Sequence, residues 1–322
     1  MTLDRRLTLA AAVLALLLPI GATHAAYPEK AVTFVVPFPP GGRTDLTARL
    51  ITQHLAKHLG QPAVVVNKPG AGGVLGAKEV AGAAPDGYLL GIFSTAVVTA
   101  QYTVPTPTDL KDYAAIAVIN IDPMALAVKS DAPWKTLKEL VAYGKGNPGK
   151  LRIATIPGAS GQIFAASFAN AGKLQGIYVP FKGDSDGAAA LAGGHIDVHL
   201  AVPVSYKALA EANKVRMLGI AAESRSALYN DVATFRENGV DLVIGSFHIV
   251  FAPRRTPSEV LRVLEGAIDR TMREPDLIKQ MAASGLGHAN MNQKDTAAFL
   301  AQQDAIYRQV IDEVGMRVAP KK

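Results

Sequence analysis

Two glycine-rich turns carry the residue types best suited to holding an anion. The first is Pro37-Phe38-Pro39-Pro40-Gly41-Gly42-Arg43-Thr44-Asp45, and the second is Asn67-Lys68-Pro69-Gly70-Ala71-Gly72-Gly73. Each follows a strand-like run, Val32-Thr33-Phe34-Val35-Val36 and Ala63-Val64-Val65-Val66, and each opens a helical pattern. Glycines at such a junction let backbone N–H groups converge on a bound anion, and the positive end of the helix dipole adds to the attraction. On neighbouring strands the two turns describe a mouth for a carboxylate or a phosphate.

Rival chemistries are poorly supplied. Gly70-Ala71-Gly72-Gly73-Val74-Leu75-Gly76 follows a strand and opens a helix, as a dinucleotide fingerprint does, but its third glycine falls one place late and no acidic residue ends a second strand about 20 positions on. A Gly-x-x-x-x-Gly-Lys-Ser/Thr loop is missing, and Gly158-Ala159-Ser160-Gly161 fails the spacing of a nucleophile elbow. The chain has 0 cysteines, so a thiol nucleophile is excluded. His54 and His58 sit at i and i+4 with no carboxylate near in sequence, which reads as a solvated helix face. His195, Asp197 and His199 share one face of a strand pattern, where metal or catalytic work competes with plain hydrogen bonding. Ser160 can cap a helix or donate to a ligand. Lys182, after the 177–179 strand and Phe181, either offsets ligand charge or lies on the surface. His248 falls in a strand that can reach a cleft.

These residues need elements to position them. Short apolar runs predict strands at 89–93, 115–118, 126–128, 151–156, 177–179, 196–200, 217–221 and 247–251. Periodic patterns predict helices at 45–59, 74–81, 137–143, 161–171, 187–191, 257–273 and 296–314. Alternation of this kind implies an α/β fold with parallel sheets covered by helices on both faces. Thr44 or Asp45 is the expected cap of the 45–59 helix, with Leu46, Leu50, Ile51, Leu55 and Leu59 facing the sheet and Gly60 ending it. Crossing strands near 115–129 and 243–251 divide the chain into lobe 1, residues 26–124 plus 246–322, and lobe 2, residues 125–245. Two lobes joined by two crossings make a hinge and a cleft, where ligands usually bind.

Residues 1–25 read as a secretory signal peptide: Arg5 and Arg6 precede an apolar run over 7–20, with a small-residue cleavage site near Ala25. Removing Asp4, Arg5 and Arg6 takes the net charge of +6 to +5. That excess is spread along the chain with no basic run, which argues against nucleic acid. The expected destination is the periplasm.

The motifs together resemble a known family. They include Tyr27-Pro28, Val35-Val36-Pro37-Phe38-Pro39-Pro40-Gly41-Gly42 with Asp45 and Ala48-Arg49, and Asn67-Lys68-Pro69-Gly70-Ala71-Gly72-Gly73. Ala84-Pro85-Asp86-Gly87-Tyr88, Asn147-Pro148-Gly149-Lys150-Leu151, Val179-Pro180-Phe181-Lys182-Gly183, Gly193-Gly194-His195-Ile196-Asp197 and Phe251-Ala252-Pro253 follow in order. The chain resembles the tripartite tricarboxylate transporter receptors, also called Bug proteins. The resemblance implies a type II-like, Venus-flytrap periplasmic binding protein whose two α/β lobes close on a small organic acid. It implies no catalysis, cofactor or metal. The expected partner is a two-component, TctA/TctB-like permease, or a membrane sensor, for a monomeric receptor. By position it assigns ligand binding to Pro39, Pro40, Gly41, Gly42, Arg43, Thr44 and Asp45, to Gly70, Ala71, Gly72 and Gly73, to Ser94 and Thr95, and to Ser160, Gly161 and Gln162. Phe247 stands where the family often has tryptophan and is expected as a cleft wall. Arg43, where small residues are common, either meets a second carboxylate or points to solvent.

Overall fold

A computed structural model describes residues 27–105, 108–156, 160–181, 183–226, 229–313 and 315–318; the expected signal peptide lies outside them. Strands β1 (Val32–Val36), β2 (Ala63–Asn67) and β3 (Leu89–Ser94) run parallel, because helices α1 (Arg43–Leu59) and α2 (Val74–Ala81) supply the crossovers. β4 (Tyr113–Pro123) leaves this sheet directly into β5 (Ala125–Lys129) of a second one. There α4 (Leu137–Gly146), β6 (Leu151–Thr155), α5 (Ser160–Gly172), β7 (Gly176–Pro180), α6 (Asp184–Ala192), β8 (His199–Ala201), α7 (Lys207–Glu211) and β9 (Val215–Ile220) follow. β10 (Gly245–Pro253) returns to the first sheet; α8 (Ser258–Met272) and α10 (Gln293–Glu313) pack against that sheet, and α9 (Pro275–Ala283) packs on α1 and α8. Between β3 and β4 lies α3 (Thr95–Thr103).

The first sheet has the order β2-β1-β3-β10-β4. In the second, β8-β5-β9 and β6-β7 are bridged by Ile153 and Val198, with Ala154 N–H donating to Val198 O at 2.9 Å. The second order is therefore β7-β6-β8-β5-β9, the same plan as the first. In each sheet the strand arriving from the other sheet lies next to the edge and runs antiparallel to both neighbours.

The two passages between sheets touch each other. Met124 N–H donates to Ile244 O at 3.0 Å, and Ala221 N–H donates to Met124 O at 2.7 Å. A third link is made by α10, where Asn170 Nδ2 of α5 donates to Glu313 Oε2 at 2.8 Å. Two short backbone strands and one helix end give a joint that can bend without breaking a sheet.

Three differences from the sequence expectation matter for the site. Helix α1 begins at Arg43, and its N-cap is Gly42, with no side-chain cap. Its buried stripe holds Thr44, Asp45, Thr47, Ala48, Ile51, Thr52, Leu55 and Leu59, and Leu46 falls off that stripe, 41% exposed. Gly60 ends the helix in the left-handed conformation, φ 71°, as its position predicts. Helix α3 is absent from the pattern-based expectation because Thr95-Ala96-Val97-Val98-Thr99 is rich in β-branched residues and reads as more strand. Ser94 decides otherwise by accepting from Ala96 N–H at 3.3 Å. Helices α7 and α9 are likewise additions.

Gly287 locks the first sheet to the segment after α9. Its N–H donates to Asp122 Oδ1 at 2.6 Å, and a Cβ there would overlap the Ile121 carbonyl oxygen. Gly287→Ala is expected to cost about 3 kcal/mol, because backbone on both sides must move. Urea unfolding of the variant measures it.

Candidate functional site

The N-termini of α1, α3, α5 and α6 converge on a cavity of about 380 Å³ between the two sheets. Lobe 1 contributes Gly42, Arg43 and Thr44 from α1, Ser94 and Ala96 from α3, and Ser246 and His248 from β10. Phe38 closes one side and Met124 of the joint forms the floor. Lobe 2 contributes Ser160, Gly161 and Phe164 from α5, and Gly183 and Asp184 from α6. Each helix start leaves backbone N–H groups without intrahelical partners, and each carries the positive end of a dipole. Such a wall suits a carboxylate.

A buried polar chain fixes the lobe 1 wall. Asn120 Nδ2 donates to Gly287 O at 2.6 Å, so its Oδ1 is the acceptor for Arg43 Nη2 at 3.1 Å and for His248 Nδ1 at 2.9 Å. His248 therefore carries its proton on Nδ1, and Nε2 accepts the Thr44 hydroxyl at 3.0 Å. The Thr44 oxygen keeps only lone pairs for a ligand. Burial, then the charge of Arg43, holds the His248 pKa well below the ordinary histidine value. Thr44, His248 and Asn120 have the connectivity of a nucleophile, base and orienter, but a ring that resists protonation is a poor general base.

Arg43 does not point to solvent: it lines the cavity, and its Nε has no hydrogen-bond partner among the described residues. Its guanidinium pairs with Asp122 on β4, with side chains 19% and 6% exposed. Burial lowers its pKa to about 10, against the opposing charge of Asp184 across the cavity, so it stays protonated at neutral pH. Asp184 lies recessed among protein atoms while its side chain, 42% exposed, opens on the cavity; this partial burial pushes it up to about 6, with Arg43 pulling the other way.

Several expected residues are placed behind the cavity rather than on it. Asp45 is buried and pins the first turn: Gly41 N–H donates to Oδ2 at 2.9 Å, Arg49 Nε at 3.0 Å, and Asn67 Nδ2 to Oδ1 at 2.9 Å. Burial raises its pKa, but these donors outweigh that and hold it below the ordinary carboxylate value. Pro39, Pro40 and Gly41 are not cavity-lining; Gly41, at φ 82°, makes the bend. Gly70, Ala71, Gly72 and Gly73 form a tight turn beside Phe38, whose ring lies 3.3 Å from where a Gly73 Cβ would sit. Gly76, the late third glycine, lets α2 pack closely, since a Cβ there would meet Lys68 O at 2.8 Å and Pro37 Cα at 3.0 Å.

Thr95 is fully buried and accepts Phe247 N–H at 3.0 Å, tying α3 to β10. Phe247 does not line this cavity; it packs edge-on against Phe299, ring centroids 5.1 Å apart, and lines a separate cavity of about 750 Å³. Strand alternation is the reason, since His248 takes the cavity face. Gln162 and Phe181 do not line the cavity, and Lys182 lies outside the described residues. Ala96, Met124, Phe164, Asp184 and Ser246 line it without having been singled out; only Asp184, beside the Phe181-Lys182-Gly183 turn, left a chemical signal in the sequence.

The histidine pairs also resolve. His54 Nδ1 and Lys57 Nζ lie 2.7 Å from Glu274 Oε2, and His58 Nε2 lies 2.5 Å from Oε1. The carboxylate missing from the sequence neighbourhood comes from the N-cap of α9. Burial raises the Glu274 pKa, but Lys57, His54 and His58 outweigh it and hold it at about 2. A depressed carboxylate stabilises the fold above its unfolded pKa of ~4.5 and loses that contribution as pH falls toward about 2. Wild-type urea midpoints should therefore fall more steeply from pH 5 to 3 than those of Glu274→Gln. His195, Asp197 and His199 do not cooperate, because β8 starts only at His199. Asp197 instead binds Arg152, Nη2 to Oδ1 at 2.7 Å, and among the described residues no acid–histidine group could hold a metal ion.

Two similar sheets joined by paired crossings, with a cavity between them, make the two-lobe fold of periplasmic binding proteins. The model of the tripartite tricarboxylate transporter family receptor matches residues 47–316, and the chain belongs to that family of solute-binding receptors. It is 33% identical over 305 residues to the UPF0065 protein in the gbd 5' region of Cupriavidus necator, covering 94% of this chain and 93% of the other. A Rhodopseudomonas palustris protein solved with adipate superposes with a TM-score of 0.80 at 27% identity, covering 92% of this chain and 100% of that one. MatC from the same species, with bound malate, gives 0.74 at 30% identity, covering 88% and 100%. The family is one of binding receptors rather than enzymes, and its members act in the periplasm with membrane transporters.

Proposed function

We propose that this protein captures a small organic acid between its lobes and hands it to a two-component permease of the tripartite tricarboxylate type. The supporting observation is the convergence of the α1, α3, α5 and α6 N-termini on one cavity. The ligand carboxylate takes the free N–H groups at Gly42, Arg43 and Thr44, and Ser94, Ser160 and Gly161 add contacts from both lobes. Contacts from both sides favour the closed form, which is what a transporter reads. In this reading residues 1–25 are a cleaved export signal, residues 26–124 plus 246–322 and residues 125–245 move as two bodies, and the receptor works as a monomer. The adipate and malate held by two structural relatives support the acid class.

A thermal-shift screen tests it. The periplasmically expressed protein, stripped of ligand by unfolding and refolding, is offered mono-, di- and tricarboxylates, amino acids and aromatic acids, with nucleotides as controls. A true ligand at about 100 times its Kd adds roughly 2.7 kcal/mol of stability. A flat response to every acid, or turnover of a bound one, would remove the reading.

A further inference from the structure

Asp184 is the only acid lining the cavity among the described residues; Arg43 and His248 are the basic residues there, and Arg43 is the cationic one. Arg43 already has its counter-charge in Asp122. Asp184 has none. Its side chain, at the start of α6, is 42% exposed, and no described residue donates a hydrogen bond to it. The nearest polar atom is His199 Nε2, 3.8 Å from Oδ1. The Tyr206 hydroxyl lies 2.9 Å from His199 O and 3.2 Å from His199 Nδ1; with its single hydrogen on the carbonyl, Nδ1 carries the ring proton. Nε2 is then a bare lone pair on a side chain only 1% exposed, with no hydrogen-bond partner.

A carboxylate and a buried acceptor thus face each other across a gap too long for a hydrogen bond, at the lobe 2 end of the cavity. A first-turn acid also suits its own helix dipole, but that role needs neither the cavity position nor the adjacent lone pair. A second ligand carboxylate placed here would meet like charge. A cationic nitrogen would satisfy the site.

Resting on the receptor reading above, we propose that the ligand is a zwitterionic acid. Its carboxylate lies on the α1 and α3 starts, and its ammonium or other cationic nitrogen lies against Asp184. Asp184 is then the residue that selects nitrogen-bearing acids over plain dicarboxylates.

Calorimetric titration with matched pairs tests this: aspartate against succinate, glutamate against glutarate, 4-aminobutyrate against butyrate. Wild type should bind the nitrogen-bearing member of at least one pair tenfold or more tightly. In Asp184→Asn and Asp184→Ser that preference should fall to near unity or reverse, while circular dichroism stays native. Using the ratio within a pair cancels any general loss of affinity. Nitrogen-free acids bound as well or better by wild type, or a preference that survives both substitutions, overturns the assignment and leaves the receptor reading standing. Silence across the whole panel overturns both.

Discussion

Gly42→Asp is expected to weaken organic-acid binding by a factor on the order of 100 to 1000 while the protein remains as stable as wild type. Gly42 is the N-cap of α1, with φ −78° and ψ 170°, an extended conformation open to any residue. A Cβ there would only touch Pro39 O, at 3.6 Å. Aspartate is moreover a preferred N-cap, better than glycine by a few tenths of a kcal/mol. The fold therefore loses nothing. Its carboxylate, however, would accept from the same first-turn N–H groups that the ligand needs. Two unit charges about 4 Å apart repel by roughly 4 kcal/mol at an effective dielectric constant near 20, which is about three decades in affinity. Calorimetry with the best acid from the screen, alongside a melting curve, reads both effects. Gly42→Asn supplies the cap without the charge and should lose much less. Native affinity in a folded Gly42→Asp protein would move the ligand carboxylate away from α1.

Arg43→Met is expected to destabilise the protein by roughly 3 kcal/mol, and Asp122→Asn by a similar amount, because each leaves a buried charge without its partner. The pair is well enclosed, at 19% and 6% side-chain exposure. The double variant removes both charges and should lose no more than either single variant, giving a coupling energy of about 3 kcal/mol in a double-mutant cycle. Urea unfolding at neutral pH measures it. Additive losses would mean that solvent already screens the pair. Binding separates a second role. Asp122→Asn leaves an uncompensated guanidinium at the cavity wall, so dicarboxylates should gain on zwitterions relative to wild type.

How much of this could be read beforehand follows from the range of the interactions involved. The parallel alternation, the Gly60 stop and the glycine-rich turn before α1 are set by residues within one or two turns of each other, where pattern and backbone sterics act directly. The family motifs are local in the same way. Pattern alone puts the cap of α1 at Thr44 or Asp45 instead of Gly42 and does not reveal α3. β-branched residues favour strand, and only the Ser94 hydroxyl on Ala96 N–H fixes the start of α3. Phe247 and His248 show a finer limit. Adjacent strand residues face opposite ways, but which face meets the cavity depends on the sheet that β10 joins.

The sequence by itself determined the class of fold, the absence of thiol chemistry and the glycine turn at Gly41 and Gly42, because each rests on composition or neighbouring residues. Tertiary structure alone decided what the charged groups do. Arg43 meets Asp122 from 79 positions away, His54 and His58 find Glu274, and Asp184 is left facing the cavity beside a lone pair of His199. Coulomb energies and hydrogen bonds depend on distance and burial in space, and those are fixed only when the sheets are paired and the lobes are set against each other.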